Sequence, residues 1–274
     1  MTDVATLFRA ACAAELLALK PGNVHIHAAG HGMTVADFQA SAEAAAAAIA
    51  RPGAPVGARL LAAVQATRAA VGQNTNLGIL LLAAPLAAAA ERPEPLPRAA
   101  ARVLRALTVA DARAAYAAIR LAAPGGLGRV ADADVRDEPA ITLLEAMRQA
   151  AGRDRIAWNY AHGLRDVFRR GVPRLRALQA RGWTLPWAIT GTYLALLART
   201  PDSHVARKHG VAAAAALARR VAPLARRLLA RERPETLLDE LLALDAALKR
   251  EGINPGTTAD LVVASLLARA LMRA

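Results

Sequence analysis

The chain is poor in aromatics, cysteine and lysine. Aromatic residues make up 3% of its 274 positions, although 55% are hydrophobic. Alanine and leucine must therefore carry the core, and such side chains favour closely packed helices. Valine and isoleucine nowhere alternate with polar residues as a strand requires. The expected fold is all-α: one multi-helix globular domain over residues 1–274, with a polar cleft formed by helix N-termini and loops. The proline-rich stretch 91–98 is the candidate subdomain joint. Cys12 is the single cysteine, which excludes an internal disulfide and a multi-cysteine zinc site. The first residues lack the charged and apolar regions of a signal peptide. The longest apolar run, Ile79 to Ala90, contains Pro85 and is too short to span a bilayer. A cytoplasmic protein is the expectation. Also missing are a Walker-type loop, a G-x-G-x-x-G turn after a strand and a G-x-S-x-G elbow. Any nucleotide binding has to be of another, helical kind.

What is present is positive charge. The formal net charge is +13, and lysine occurs only at positions 20, 208 and 249. Such a field attracts polyphosphate or nucleic acid. No nucleic-acid-binding module is legible, and the few aromatics do not form a stacking platform. The plain alternative is codon bias, with arginines solvating helix faces.

Helix signals recur along the chain. Helices are expected near 3–19, 34–50 and 56–71, from 77 onwards, and after Thr108. Others are expected near 140–151, 155–170, 173–181, 185–199, 211–231 and 234–250, with a last one starting at 254–260. Thr34 with Asp37, Thr108 with Asp111, and Thr257 with Asp260 have capping-box spacing. Pro85 is expected to bend or end its helix.

Polar, glycine-containing junctions fall where helices begin, at 20–37, 73–78, 124–138, 200–210 and 254–260. A helix N-terminus offers free N–H groups and the positive end of a dipole. Several converging on one cleft would bind phosphate. Taken singly, each is an ordinary cap or turn. Their density of other polar residues suggests more: Lys20, Asn23, His25, His27, Asn74, Asn76, His204, Arg207, Lys208 and His209. His25, His27 and His31 lack the companion carboxylates of a standard zinc site. Magnesium prefers a few carboxylates with phosphate oxygens, which makes Asp37, Asp202 and Asp260 its candidate ligands. As caps or surface acids they have an equally plain reading. "DSHVARKHG" gathers an acid, two histidines, Arg207 and Lys208. Arginine can clamp phosphate in bidentate fashion and lysine acts as a point charge.

In order, Glu15, "KPGNV", "ADFQASA", "NTNLG", "PDSHVARKHG" and "NPGTTADLVVA" resemble the triphosphoribosyl-dephospho-CoA synthase family. The resemblance covers nearly the whole chain. Those enzymes make the prosthetic-group precursor of citrate lyase and malonate decarboxylase. The resemblance implies an all-helical transferase in which a ribose hydroxyl of 3′-dephospho-CoA attacks the ribose anomeric carbon of ATP. Adenine leaves and the triphosphate stays on the transferred ribose. It also implies Mg²⁺ with ATP, small-molecule partners and a candidate homodimer. By the same resemblance Lys20, Asn23, His25, Asn74, Thr75, Asn76, Arg207 and Lys208 are candidates for holding ATP. Asp37, Asp202 and His204 are the catalytic candidates, and Asp37, Asp202 and Asp260 the metal candidates. Glu15 matches a family acid.

The chain also departs from the pattern. Citrate-lyase types read Asn-Thr-His-Lys-Gly where this chain has Asn74-Thr75-Asn76-Leu77-Gly78, so a basic pair has become an amide and an aliphatic. The pattern is closer to a divergent branch associated with one-carbon cofactor pathways. A changed acceptor or donor in tetrahydromethanopterin- or methylofuran-type assembly is thus the second expectation. A non-catalytic basic helical binding protein is the third.

Overall fold

The computed structural model describes residues 3–124 and 134–272. The junction expected at 124–138 falls largely outside them. Fourteen α-helices account for most of the described chain, and no β-strand occurs among these residues. The helices are α1 (Val4–Leu16), α2 (Val35–Ala50), α3 (Val56–Val71), α4 (Leu77–Ala90), α5 (Leu96–Arg105), α6 (Val109–Ala122) and α7 (Leu143–Ala150). They continue with α8 (Arg155–Ala161), α9 (Val172–Ala180), α10 (Leu185–Arg199), α11 (Ser203–His209), α12 (Val211–Ala230), α13 (Leu238–Arg250) and α14 (Gly256–Leu271). The fold class is all-α, as composition required.

Two helices form the centre. α4 is buried from Ile79 through Ala87, and α14 from Leu261 through Ala268. A helix apolar on every side has to be surrounded by protein. α4 and α14 pack on each other, with α1 against α14, and α3 and α5 against α4. One apolar cluster includes residues from α1 through α14, on both sides of the 91–98 break. That break is brief: Leu96 already opens α5, with Pro97 in its first turn, where a missing N–H is harmless.

Pro85 does not end α4, which continues to Ala90. A proline frees the carbonyl four residues earlier, here that of Leu81. The buried Tyr160 hydroxyl donates to this carbonyl at 2.5 Å. A side chain from α8 thus replaces the hydrogen bond that Pro85 removes. The helix expected over 155–170 is also divided. Gly163 and Leu164 take φ of 64° and 56°, and a π-helical turn spans Val167–Gly171. Asp166 holds the two pieces together: its carboxylate accepts from Arg155 at 2.7 and 3.0 Å and from Asn159 at 2.9 Å.

The capping boxes at Thr34 with Asp37 and Thr108 with Asp111 form as spaced, and Thr142 with Glu145 adds another. The one expected at Thr257 with Asp260 does not. Pro255 is the N-cap of α14 and no side chain caps that end. Thr257 lies inside the helix, and its hydroxyl meets Ser203 Oγ at 3.1 Å. Residues 200–210, expected to interrupt the helices, contain α11.

Candidate functional site

Four of the five junctions come together at the adjoining N-termini of α4 and α14. Gly78, in the first turn of α4, has no room for a Cβ because the Asp260 carboxylate lies against it. Asn23 Nδ2 donates to Asn254 Oδ1 at 2.8 Å, tying the first loop to the start of α14. Asp202 accepts from the backbone and hydroxyl of Thr258, both at 2.7 Å, tying α11 to the same helix. His204 Nδ1 would lie 2.5 Å from a Cβ at Gly256. Ser41 and Thr75 hydroxyls meet at 2.6 Å, and Ser41 also donates to the Asp37 carbonyl.

Within this cluster the side chains divide into anchored and free. Lys20 is fully buried. Its ammonium meets Glu15 at 2.8 Å, Asn23 Oδ1 at 3.2 Å and the Val24 carbonyl. An ammonium has three protons, and all three are engaged. Burial lowers the pKa of Lys20 and raises that of Glu15, against their mutual attraction. As folded, Lys20 anchors the loop rather than offering a free charge to phosphate. His25 is also buried. Its Nε2 lies 3.3 Å from Asp245, and its Nδ1 accepts from the His27 N–H at 3.2 Å. Both ring nitrogens face the protein.

Asp202 is a latch. Its Oδ1 caps α11 through the N–H groups of His204 and Val205, and its Oδ2 takes both bonds from Thr258. Burial raises its pKa, against those four hydrogen bonds. Asp37 is the acid of the α2 capping box, and hydrogen bonds from Thr34 hold its pKa below the usual carboxylate range. Asn76 is buried, and its amide donates to Thr67 at 3.1 Å. Asn74 Oδ1 accepts from Leu77 N–H at 3.2 Å, so Asn74 rather than Asn76 caps α4 with its side chain.

Asp260 differs from these acids. No hydrogen bond or ion pair reaches its carboxylate from the described residues. Burial and the neighbouring Asp202, Glu15 and Asp154 raise its pKa well above the usual value, with Arg207 opposing. Its freedom follows from the missing capping box: the Thr257 hydroxyl meets Ser203, and the Asp260 carboxylate lies against Gly78 of α4. Arg207 pairs with Asp154 at 3.2 Å. Lys208 is exposed. His204 has its pKa lowered to about 3, first by burial and then by Arg207, Lys208, His31 and His209. It is a neutral imidazole among cations. His31 Nε2 lies 2.9 Å from the Gly22 carbonyl.

The sequence pattern did not single out Asp154, Asp245, Lys249 or Asn254. Asp245 and Lys249 have the i, i+4 spacing of an ordinary surface pair on α13, and nothing local marks them as buried against the first loop. A groove of about 570 Å³ lies elsewhere, lined by Pro55, Leu107 and Thr108 among others, and shares no residue with the cluster.

Of the acids expected at this cluster, Asp260 alone has a carboxylate that no described residue engages, and the segment expected as an interruption is the short basic helix α11. The family model for ATP:dephospho-CoA triphosphoribosyl transferase matches residues 1–274. The chain belongs to this family. Members of the family are transferases that use ATP and dephospho-CoA. A crystal structure from Archaeoglobus fulgidus, provisionally named a triphosphoribosyl-dephospho-CoA synthase, is similar with a TM-score of 0.64. The identity is 23%, over 87% of this chain and 98% of that one, so the likeness speaks for the fold. A comparison with curated proteins gave no match. No described helix of the transferase is long and apolar enough to cross a membrane.

Proposed function

We propose that this cluster is where the transferase moves the triphosphoribosyl group of ATP onto 3′-dephospho-CoA. The observation that carries the reading is the convergence of the α4 and α14 N-termini, with Asp260 free between them and Arg207 and Lys208 beside them. A triphosphate needs donors and positive charge. The N–H groups of α4, the Asn74 amide, the Thr75 hydroxyl and the two cations of α11 provide both.

In the reaction an acceptor hydroxyl oxygen forms a bond to the ribose anomeric carbon. The bond from that carbon to adenine nitrogen breaks, and the hydroxyl proton passes overall to adenine. His204 and Asp260 suit the two ends of that proton path. His204 is neutral and able to accept, and a polyanion beside it would raise its proton affinity. Burial and the neighbouring carboxylates push the Asp260 pKa up, which suits its protonated form to donate to the leaving base. Asp202 and Asp37 act by positioning α11 and α2.

Mg²⁺ fits this arrangement only in company with phosphate. Among the described residues no group of three or more histidine, cysteine, aspartate or glutamate side chains is placed to hold a metal. Magnesium needs few protein ligands when phosphate oxygens supply the rest, so the ion would be held chiefly by the triphosphate, leaving the Asp260 proton for the leaving base. Bound there, the ion would neutralise triphosphate charge.

The experiment is incubation with ATP, Mg²⁺ and dephospho-CoA, read by mass spectrometry. Free adenine with a triphosphoribosyl adduct is expected. ATP binding without adenine release would instead favour the second reading, a different acceptor in one-carbon cofactor assembly. The burial of Asn76 and Leu77, where the resembled pattern has a basic pair, favours that reading. No nucleotide binding would overturn both. We further read the chain as one functional unit working in the cytoplasm, with a homodimer to be tested by its mass in solution.

A further inference from the structure

We propose that Asp245 is a positioning residue of the transferase, setting the first loop and, through Gly22, the imidazole of His31. Its carboxylate lies on α13, 223 residues from the Gly22 amide that it accepts from at 2.8 Å. Asp245 is buried, and each of its oxygens is engaged. Oδ1 takes the Gly22 N–H and lies 3.3 Å from His25 Nε2, while Oδ2 pairs with Lys249 at 3.0 Å. Lys249 in turn donates to the Ala28 carbonyl at 3.1 Å, closing the loop from its other end.

Gly22 is the fulcrum. Its N–H goes to Asp245, and its carbonyl faces His31 Nε2 at 2.9 Å. Its φ is 85°, and a Cβ there would lie 2.9 Å from both the Ile253 carbonyl and Pro255 Cδ. Gly22 is therefore wedged against the approach to α14, and Asp245 fixes the peptide on its N-terminal side. His31 itself has φ of 57°, left-handed for a residue with a side chain. That conformation is disfavoured for a residue with a Cβ, so contacts elsewhere must hold it. The one His31 side-chain bond in the described structure is to the carbonyl of Gly22, the residue whose N–H Asp245 holds. Gly22 lies against Pro255, and the next residue, Gly256, lies against His204, whose pKa His31 helps to lower. The path from Asp245 through Gly22 to His31 thus ends at the proposed reaction site.

The functional consequence rests on the reading of the cluster as the transfer site, whereas the positioning itself does not. The test uses the full-length transferase with Asp245→Asn and Asp245→Ala. Asparagine keeps an acceptor for Gly22 but loses the charge that holds Lys249 and His25. Amide and imidazole NMR follow the Gly22 N–H and the His31 ring without any substrate. Expected in Asp245→Ala are a displaced Gly22 amide, an altered His31 resonance and at least tenfold lower kcat for adenine release. The KM for ATP should change less than kcat, and Asp245→Asn should recover part of the rate. If Asp245→Ala is too unstable to assay, Asp245→Glu, which keeps the charge but moves the carboxylate by one methylene, must shift both the Gly22 and the His31 signals. A folded Asp245→Ala protein with unchanged Gly22 and His31 signals overturns the proposal. Shifted signals in an enzyme that releases no adenine even as wild type would leave the positioning intact and overturn only the reading of the site.

Discussion

Asp260 shows how a single unmade contact can matter. A carboxylate whose folded pKa lies above its unfolded value of 3.8 favours the protonated form in the folded state. Between those values the folded state binds more protons, so stability falls as pH rises through that window. Asp260→Asn removes the charge and keeps the shape. The variant should melt higher than wild type at pH 7, by roughly 2–4 °C for each kcal/mol relieved. The difference should shrink towards zero as pH approaches 4, and adenine release should fall at least about 100-fold. Melting curves across pH and a single adenine assay check both halves. Equal melting at every pH would show that the carboxylate is not disfavoured as argued. His204 has the opposite sign. Its folded value of about 3 lies below the unfolded 6.5, so the unfolded chain takes the proton first. Its neutral form contributes fully above pH 6.5, and that contribution is lost as pH falls towards 3. His204→Gln should therefore flatten the acid side of the stability profile between pH 6.5 and 3. A calorimetric pH series on both proteins measures the difference.

At the scale of elements, α4 is a helix that a proline should have broken. Tyr160→Phe removes only the hydroxyl that serves the Leu81 carbonyl. Leaving a buried acceptor unpaired costs about 1–3 kcal/mol, and urea unfolding should show that loss with an unchanged slope. A loss below about 0.3 kcal/mol would mean that the bond does not support the helix. This contact also marks what could be read from the sequence. Pro85 was visible as a problem, but its remedy lies 75 residues later on a different helix. The same holds at the site. Local spacing identified the Thr34 and Thr108 boxes, because a cap is a contact over three residues. It failed at Thr257, where Ser203 offered a better partner to the hydroxyl. The junctions themselves were legible as clusters of polar residues and glycines. Whether Lys20 or His25 faced outward was not, since Glu15 and Asp245 decide it from α1 and from the far end of the chain. Apolar periodicity could not foretell the division of 155–170, which depends on left-handed Gly163 and Leu164 and on the Asp166 network.

At the scale of the whole molecule, the two central helices and the positive charge act on the same point. α4 and α14 are rigid because they are buried on all sides, and rigid elements hold a reacting geometry better than loops. Their adjoining N-termini sit in a protein of formal charge +13. A triphosphate approaching it gains from the summed field before any contact is made. That gain is screened over about 8 Å at physiological ionic strength, whereas close pairing inside the cluster is screened far less. Raising salt from about 50 to 500 mM should therefore raise the KM for ATP severalfold and leave kcat nearly unchanged. Lys208→Ala removes an exposed charge on α11 beside the cluster, so it should reproduce part of the rise in KM at low salt and lose its effect at high salt. Arg207→Ala also breaks the pair with Asp154, so its penalty should persist at high salt and include kcat. Steady-state kinetics of the three proteins at two salt concentrations separate these outcomes. If both variants lose their effects equally with salt, Arg207 acts as part of the general field rather than on the bound triphosphate.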